Sequence, residues 1–107
     1  MQTLPLADLF QAVSDPTRLR ILALLARMEL SVGEVAQLLN QSQPRVSRHV
    51  RILTDAGILE RRKEGSWVFL ALADADRTEP LINLIRQWTD DASLRVFDQD
   101  SARLFTM

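Results

Sequence analysis

Apolar residues recur at three- and four-residue spacing along the first part of the chain, a period that predicts amphipathic helices. The stripe of the first helix consists of Leu6, Leu9, Phe10 and Val13. A second apolar stripe runs from Leu19 to about Met28. Asp15 lies where it can cap this second helix, and Pro16 occupies its first position, where a missing N–H costs nothing.

Two further helices are predicted on either side of a short break at residues 40–41. The third helix begins after Ser31, which has capping-box spacing to Glu34. The fourth begins after Ser42 and runs from Gln43 to about Ala56. Gly57 then provides a left-handed stop. The positions predicted to face the core are Val35, Leu38, Leu39, Val46, Val50 and Leu53.

The second half of the chain changes from a period near four to strand-like runs. Residues 58–62 and 67–72 flank a turn at 63–66 that contains Gly65, a pattern that predicts a β-hairpin. A strongly apolar helix follows from about Glu79, and residues 92–105 form a last predicted helical segment. The expected fold is mainly α with a β-hairpin wing, a winged helix-turn-helix of order α-α-α-α-β-β-α-α. One domain, 1–107, is expected, with a C-terminal dimerisation helix and tail.

Composition excludes several classes of function. The 107 residues are 47% hydrophobic and 25% charged, as in an ordinary globular domain. They contain no Cys and one His, so disulfides, thiolate metal sites and a Ser/His triad are not expected. No nucleophile–base pair or phosphate-binding glycine loop indicates an enzyme. No apolar run approaches membrane-spanning length, and a cytoplasmic location without membrane contact is expected.

The net charge of −1 conceals an uneven distribution. Residues 42–67 carry six basic and three acidic side chains, a net charge of +3, whereas the remaining residues carry seven bases and eleven acids, a net charge of −4. A basic segment in an otherwise acidic chain suggests a surface that meets phosphates. Taken alone, however, the composition favours a solvated charged surface.

The basic segment has the chemistry of a DNA-reading element. With its apolar stripe turned inward, the fourth helix turns its polar side chains outward, and its first turn is where a recognition helix enters the major groove. Gln pairs with adenine and Arg with guanine, while Ser and helix N-terminal amides suit phosphates. The hairpin adds bases suited to the adjacent backbone. The candidate DNA-binding residues are Ser42, Gln43, Arg45, Ser47, Arg48, Arg51, Arg61, Arg62 and Lys63.

Other interpretations compete for individual residues in this segment. Arg48 and Arg51 could each be solubilising charges, and the hairpin bases alone are a weak signal. His49, next to the core-facing Val50, favours a partly buried structural role over a ligand or a pH switch. The two tryptophans, Trp67 and Trp88, are interpreted as core or interface anchors rather than as a platform for bases.

Two segments resemble the ArsR (arsenical-resistance repressor) family of regulators. The first, residues 14–22, reads Ser-Asp-Pro-Thr-Arg-Leu-Arg-Ile-Leu. The second comprises residues 38–53 and continues into the Ala-Gly-Ile-Leu of residues 56–59. The similarity covers about residues 4–90. It implies a homodimeric bacterial repressor that binds double-stranded operator DNA and releases it when an effector binds.

The resemblance also implies roles for particular residues. Recognition-helix contacts fall to Gln43, Arg45, Ser47 and Arg48, and the wing to residues 61–67. The first and last helices are implied to form the dimer, and their faces are too apolar to stay exposed in a monomer. The dimer residues so implied are Leu6, Leu9, Phe10, Leu81, Ile82, Ile85 and Trp88.

The chain departs from the metal-sensing members of that family. Where those members carry Cys-Val-Cys, this chain has Ser31-Val32-Gly33. Asp74, Asp76 and Glu79 lie near the start of the helix that follows the wing, but no His accompanies them, and carboxylates alone make a poor transition-metal site. No metal site and no bound cofactor are therefore expected.

The effector stays open. The tail, residues 98–104, is similar to the region that follows the winged helix in members fused to an S-adenosylmethionine-dependent methyltransferase. That similarity implies an effector of the S-adenosylhomocysteine or S-adenosylmethionine type; a dimerisation helix without a pocket is the other interpretation. The alternative function is a winged-helix protein-interaction or dimerisation module that lacks specific DNA binding.

Overall fold

The computed structural model describes residues 4–106, which form six α-helices and one two-stranded antiparallel sheet. The order confirms the predicted winged helix-turn-helix. The elements are α1 (Pro5–Val13), α2 (Pro16–Leu25), α3 (Val32–Leu39), α4 (Gln43–Asp55), β1 (Leu59–Glu64), β2 (Trp67–Leu72), α5 (Ala75–Trp88), α6 (Asp91–Ala102) and a terminal 3₁₀ turn, Arg103–Thr106.

Side-chain caps fix the starts of α2 and α3 as predicted. The Asp15 carboxylate accepts hydrogen bonds from the amides of Thr17 and Arg18, at 2.8 and 3.1 Å. Ser31 and Glu34 form a full capping box, in which the Ser31 amide donates to Glu34 Oε1 at 2.8 Å and the Glu34 amide donates to Ser31 Oγ at 3.2 Å. These bonds satisfy amides that a helix start leaves without partners.

Ser31→Ala is expected to lower the free energy of unfolding by about 1 kcal/mol, because it removes one half of this capping box. Urea denaturation followed by circular dichroism measures the change. Ser66→Ala is the matched control, since Ser66 is an exposed turn residue outside any helix. An equal loss of stability in both variants would contradict a capping role for Ser31.

Two predicted helix boundaries are wrong. Helix α2 ends at Leu25 rather than near Met28, because Leu30 extends to pair with the wing: its amide donates to the Leu70 carbonyl at 3.3 Å, and its carbonyl accepts from the Leu70 amide at 2.7 Å. Helix α5 begins at Ala75 rather than near Glu79, with Asp74 as its cap and Pro80 inside it. The predicted start near Glu79 places Pro80 in the first turn of α5, where proline is common. The local sequence does not distinguish that position from one inside the helix, which is where Pro80 lies.

The core lies between α2, α3, α4 and the base of the hairpin. The stripe of α4 is fully buried at Val46, Val50 and Leu53, as predicted. The hairpin closes it through Ile58, which precedes β1. The other large apolar side chains that are fully buried are Ile21, Leu22, Leu24, Val35, Leu38 and Leu70.

The hairpin turn is tighter than predicted. Glu64 pairs with Trp67, so only Gly65 and Ser66 form the loop, and Lys63 lies in strand β1 instead of in the turn. Gly65 has φ +62°, as the first loop position of a type II′ turn requires. Successive residues of β1 alternate between the two faces of the hairpin, which decides where the wing cations point.

Helix α6 docks on α2 through a buried ion pair. Arg20 on α2 donates to both carboxylate oxygens of Asp100, each at 2.8 Å. The Asp100 side chain is only 2% exposed, and that of Arg20 is 22% exposed. Arg103 approaches Asp100 to 3.5 Å and donates to the Leu38 carbonyl of α3 at 2.7 Å. The last helical segment is thus fixed to the body of the domain.

Candidate nucleic-acid interface

A tight turn sets α4 against α3. Asn40 takes a left-handed conformation (φ 54°, ψ 47°) that ends α3, and Ser42 caps α4 by accepting a hydrogen bond from the Arg45 amide at 3.3 Å. The Ser42 hydroxyl keeps its own hydrogen free to donate to an anion. Two helices joined in this way form the helix-turn-helix predicted from the sequence.

The outer face of α4 carries the predicted reading side chains. Burial of Val46, Val50 and Leu53 turns the opposite side of the helix to solvent. Ser47 is half-buried, whereas the exposed members of the set are Ser42, Gln43, Arg45, Arg48 and Arg51. Gln43 also leans toward α3: a Cβ placed on Gly33 would approach Gln43 Nε2 to 3.2 Å. A glycine at position 33 therefore leaves room for the Gln43 side chain.

A polar cluster beneath α4 connects it to α1 and α2. Arg18 donates to the Ala12 and Gln11 carbonyls at the end of α1 and to His49 Nδ1 on α4, at 3.1 Å. A guanidinium has no acceptor, so Nδ1 accepts this bond and His49 is neutral. The Asp15 carboxylate, 3.9 Å from Nδ1, is too distant for a hydrogen bond. His49 is the partly buried structural residue that the sequence indicated.

The electrostatics of the cluster agree with this protonation state. Burial, together with Arg18, Arg45 and Arg48, lowers the pKa of His49 below its ordinary value of 6.5, against the opposing effect of Asp15. Burial raises the pKa of Asp15, but the amide hydrogen bond from Arg18 and the nearby positive charges outweigh it and bring that pKa below 3.8. Near neutral pH the cluster therefore holds an ionised Asp15 and a neutral His49.

The free energy of unfolding is expected to fall as pH drops below about 6.5. The unfolded chain binds a proton at His49 near pH 6.5, whereas the folded chain resists it, so protonation favours unfolding. Well above pH 6.5 both states are neutral and the effect vanishes. Urea denaturation at pH 7.5 and 5.5 measures it, with His49→Gln as the variant that removes the only His. An unchanged pH dependence in His49→Gln would contradict this assignment.

The wing cations divide between the two faces of the hairpin. Arg61 and Lys63 alternate with Arg62 along β1 and are exposed. Arg62 pairs with Glu29 at 2.6 Å and Glu64 at 2.9 Å. Its guanidinium also lies 5.5 Å from the Phe69 ring centroid. Arg61 and Lys63 make no ion pair within residues 4–106, so no acidic side chain in that range neutralises their charges.

Neither tryptophan is a core residue, which leaves the interface anchor of the two roles expected from the sequence. Trp67 is 64% exposed at the wing tip, where it stacks on Phe69 with ring centroids 6.4 Å apart. Trp88 is 81% exposed at the end of α5. Apolar periodicity does not separate a side chain that faces the core of one chain from a side chain kept for a partner.

The predicted dimer residues occupy different environments. Leu6 and Phe10 on α1 are exposed, as is Trp88. Leu9, Leu81 and Ile85 are partly buried and pack against the core. Ile82 is 8% exposed and belongs to the core, while Leu84, two residues on, is exposed and has area to offer a partner.

One of the acidic residues near α5 has a structural role. Asp74 caps that helix by accepting from the Asp76 amide at 3.1 Å. Within residues 4–106 no three His, Cys, Asp or Glu side chains converge to hold a metal ion. No helix in that range is long and apolar enough to cross a membrane.

Sequence reasoning missed the residues that position the interface. Arg18 lies in the predicted second helix, but its bond to His49 joins residues 31 positions apart. Glu29, which holds Arg62, follows a helix whose end was placed too late. The only available signal was the capping role of Asp15, which the sequence did reveal.

The comparisons with known proteins agree with this architecture. The family model described as bacterial regulatory protein, arsR family, matches residues 15–61. An HTH-type transcriptional regulator of Methanocaldococcus jannaschii is 44% identical over 80 residues, which are 74% of this chain and 89% of that protein. The arsenic resistance transcriptional regulator ArsR2 of Pseudomonas putida is 35% identical over 100 residues, 87% of each chain.

Solved structures show the same fold. HlyU from Vibrio cholerae aligns with a TM-score of 0.69 at 33% identity, covering 78% of this chain and 91% of that one. A homodimeric winged helix-turn-helix DNA-binding domain from Mycobacterium bovis aligns with a TM-score of 0.68 at 27% identity, covering 78% and 79%. The relatives are regulators, in agreement with the prediction that the chain is not an enzyme. The chain belongs to the ArsR family of bacterial winged helix-turn-helix transcriptional regulators.

Proposed function

We propose that the chain is a dimeric repressor that reads operator DNA with α4 and holds the adjacent backbone with the wing. The observation that supports this most is the exposed polar face of α4, with Gln43, Arg45 and Arg48 turned away from a buried apolar stripe. Arg–guanine and Gln–adenine pairs are the contacts such a face makes in a major groove. Pairing through α1 and α5, as a homodimer like the relative from M. bovis, is supported by the exposed side chains of Leu6, Phe10, Leu84 and Trp88.

Selection from a random duplex library followed by fluorescence anisotropy tests the proposal. We expect the selected sequence to be a palindrome with half-sites about one helical turn, ~34 Å, apart. Affinity for it should exceed that for a scrambled duplex by about 10³-fold or more at physiological salt. Equal affinity for both duplexes, with a salt slope near zero, would instead favour an interaction module that lacks DNA recognition.

The wing cations are expected to contribute unequally to the salt dependence. Arg61→Ala or Lys63→Ala should reduce the slope of log K against log salt by about 0.9 for each phosphate that the variant no longer neutralises. Arg62→Ala should reduce it less, because Glu29 and Glu64 already neutralise that guanidinium. Anisotropy titrations between 50 and 300 mM salt compare the three variants. A larger effect from Arg62→Ala would show that its ion pairs open on DNA.

A small-molecule effector is the second part of the proposal. The tail similarity supports S-adenosylhomocysteine as a first compound to test, and the absence of a metal-ligand cluster within residues 4–106 supports an organic effector. A thermal-shift assay with this compound, S-adenosylmethionine and zinc distinguishes them, since a ligand that binds only the folded state raises the melting temperature. Stabilisation by zinc alone would contradict the organic effector.

A further inference from the structure

A cavity of about 530 Å³ lies between α2, α5 and α6. This volume is within the ~300–1,000 Å³ range of small-molecule sites. Its apolar lining includes Ala23 and Ala26 on the α2 side, Ile85 on α5 and Phe97 on α6. The two alanines leave the space open, because a larger side chain at either position would fill it. The interior is thus suited to the apolar body of a ligand.

The polar lining of the cavity carries two guanidinium groups without partners. Arg27 and Arg86 make no ion pair or side-chain hydrogen bond within residues 4–106, and neither does Asp98, the carboxylate that also lines the cavity. Within residues 4–106 only Arg20, Arg62 and Arg103 pair with carboxylates, so what sets Arg27 and Arg86 apart from the other unpaired arginines is their shared place in the cavity lining. Two cations against one anion leave a net positive charge beside an apolar interior.

We propose that this cavity binds an organic anion with an apolar body, such as an aromatic carboxylate, as an effector of the repressor in addition to the S-adenosyl candidate. Arg27 and Arg86 would bind the carboxylate, since a guanidinium fork matches its two oxygens. Ile85 and Phe97 would contact the ring. The binding site stands on the cavity itself, whereas its role as an effector site rests on the proposed function.

Helix α6 connects the cavity to α4, the helix proposed to read DNA. It forms one wall, and the Arg20–Asp100 pair fixes that wall to α2. Arg103, just after α6, donates to the Leu38 carbonyl at 2.7 Å, near the end of α3 where the turn to α4 begins. A ligand that displaces α6 therefore also displaces Arg103 and, through its hydrogen bond to Leu38, the turn between α3 and α4.

The same wall reaches the proposed dimer face. Ile85, Thr89 and Phe97 also line a second cavity of about 470 Å³, whose other lining residues include Leu84 and Trp88. A ligand that moves Phe97 changes the packing beneath these two exposed side chains. Both connections, to the turn before α4 and to the proposed dimer face, begin at α6. A ligand in this one cavity could therefore change DNA binding through either of them.

The test uses two fluorescent probes on the purified full chain without DNA. 8-Anilinonaphthalene-1-sulfonate is an apolar anion, and N-phenyl-1-naphthylamine is a neutral compound of similar shape. We expect saturable, one-to-one binding of the anion, weakened about tenfold by Arg27→Gln or Arg86→Gln and strengthened by Asp98→Asn. Affinity for the neutral probe should change less than about twofold, since it has no charge for the guanidinium groups to pair with. Arg95→Gln, an exposed arginine of α6 that does not line the cavity, is the matched control.

Two outcomes would overturn the proposal. One is anion binding that Arg27→Gln and Arg86→Gln leave unchanged but Trp88→Ala abolishes, because the probe then sits on the exposed apolar face. The other is no saturable binding in the wild-type chain. Melting curves confirm that each variant is folded. Since no DNA is present, failure here leaves operator binding standing, and failure of operator selection leaves this site standing.

Discussion

Arg20→Ala is expected to lower the free energy of unfolding by about 3 kcal/mol, a large share of the stability of a small domain. The substitution leaves the Asp100 carboxylate, 2% exposed, without its bidentate donor. Removing one partner of a buried pair costs about 3–5 kcal/mol, and partial exposure of Arg20 places this pair at the lower end. Arg103, 3.5 Å from the carboxylate, compensates only in part for the missing guanidinium of Arg20.

Asp100→Ala is the matched control, and its effect should be smaller. It frees Arg20, whose side chain is already 22% exposed and can turn to water. The double variant Arg20→Met, Asp100→Leu should recover most of the stability, because a well-packed apolar pair replaces a buried ion pair at little cost. Urea denaturation measures all three. Equal losses of stability in the two single variants would show that the pair is more accessible in solution than its geometry indicates.

This ion pair marks the limit of what the sequence predicted about the fold. The helix-turn-helix was predictable because its signals are local: Ser42 caps α4, and Val46, Val50 and Leu53 repeat at the period of one helix face. Arg20 and Asp100 lie 80 residues apart, and each alone looks like an ordinary surface charge. Nothing in the spacing of either residue indicates its partner, so the docking of α6 emerges only in three dimensions.

The candidate nucleic-acid interface, too, was predictable from the sequence only in part. The outward face of α4 followed from burial of the opposite face, a property of one helix. The different states of Arg61 and Arg62 did not follow, because the partner of Arg62, Glu29, precedes the isolated bridge between Leu30 and Leu70. A single-residue bridge leaves no periodic pattern in the sequence. The wing was therefore predicted as a basic hairpin, while the structure was needed to show which of its cations are already paired.

Arg45→Ala is expected to reduce affinity for the selected operator by about 2–6 kcal/mol in the proposed dimer. Arg45 is exposed in the first turn of α4, where a recognition helix lies deepest in the major groove. One bidentate base contact contributes about 1–3 kcal/mol, and a symmetric dimer makes the contact twice. The backbone cap is retained, since the Arg45 amide rather than its side chain donates to Ser42. Weaker binding by Arg45→Ala therefore reflects the loss of a DNA contact and not the unfolding of α4.

Comparing a base contact with a phosphate contact decides what Arg45 does. A base contact predicts that Arg45→Ala abolishes discrimination at one symmetric pair of operator positions and leaves affinity for scrambled DNA nearly unchanged. A phosphate contact predicts equal weakening on both duplexes and a shallower salt slope. Arg95→Ala, remote on α6, should alter neither. Anisotropy titrations on the selected and scrambled duplexes separate the two; equal weakening on both would assign Arg45 to the backbone and leave Gln43 and Arg48 as the remaining readers on α4.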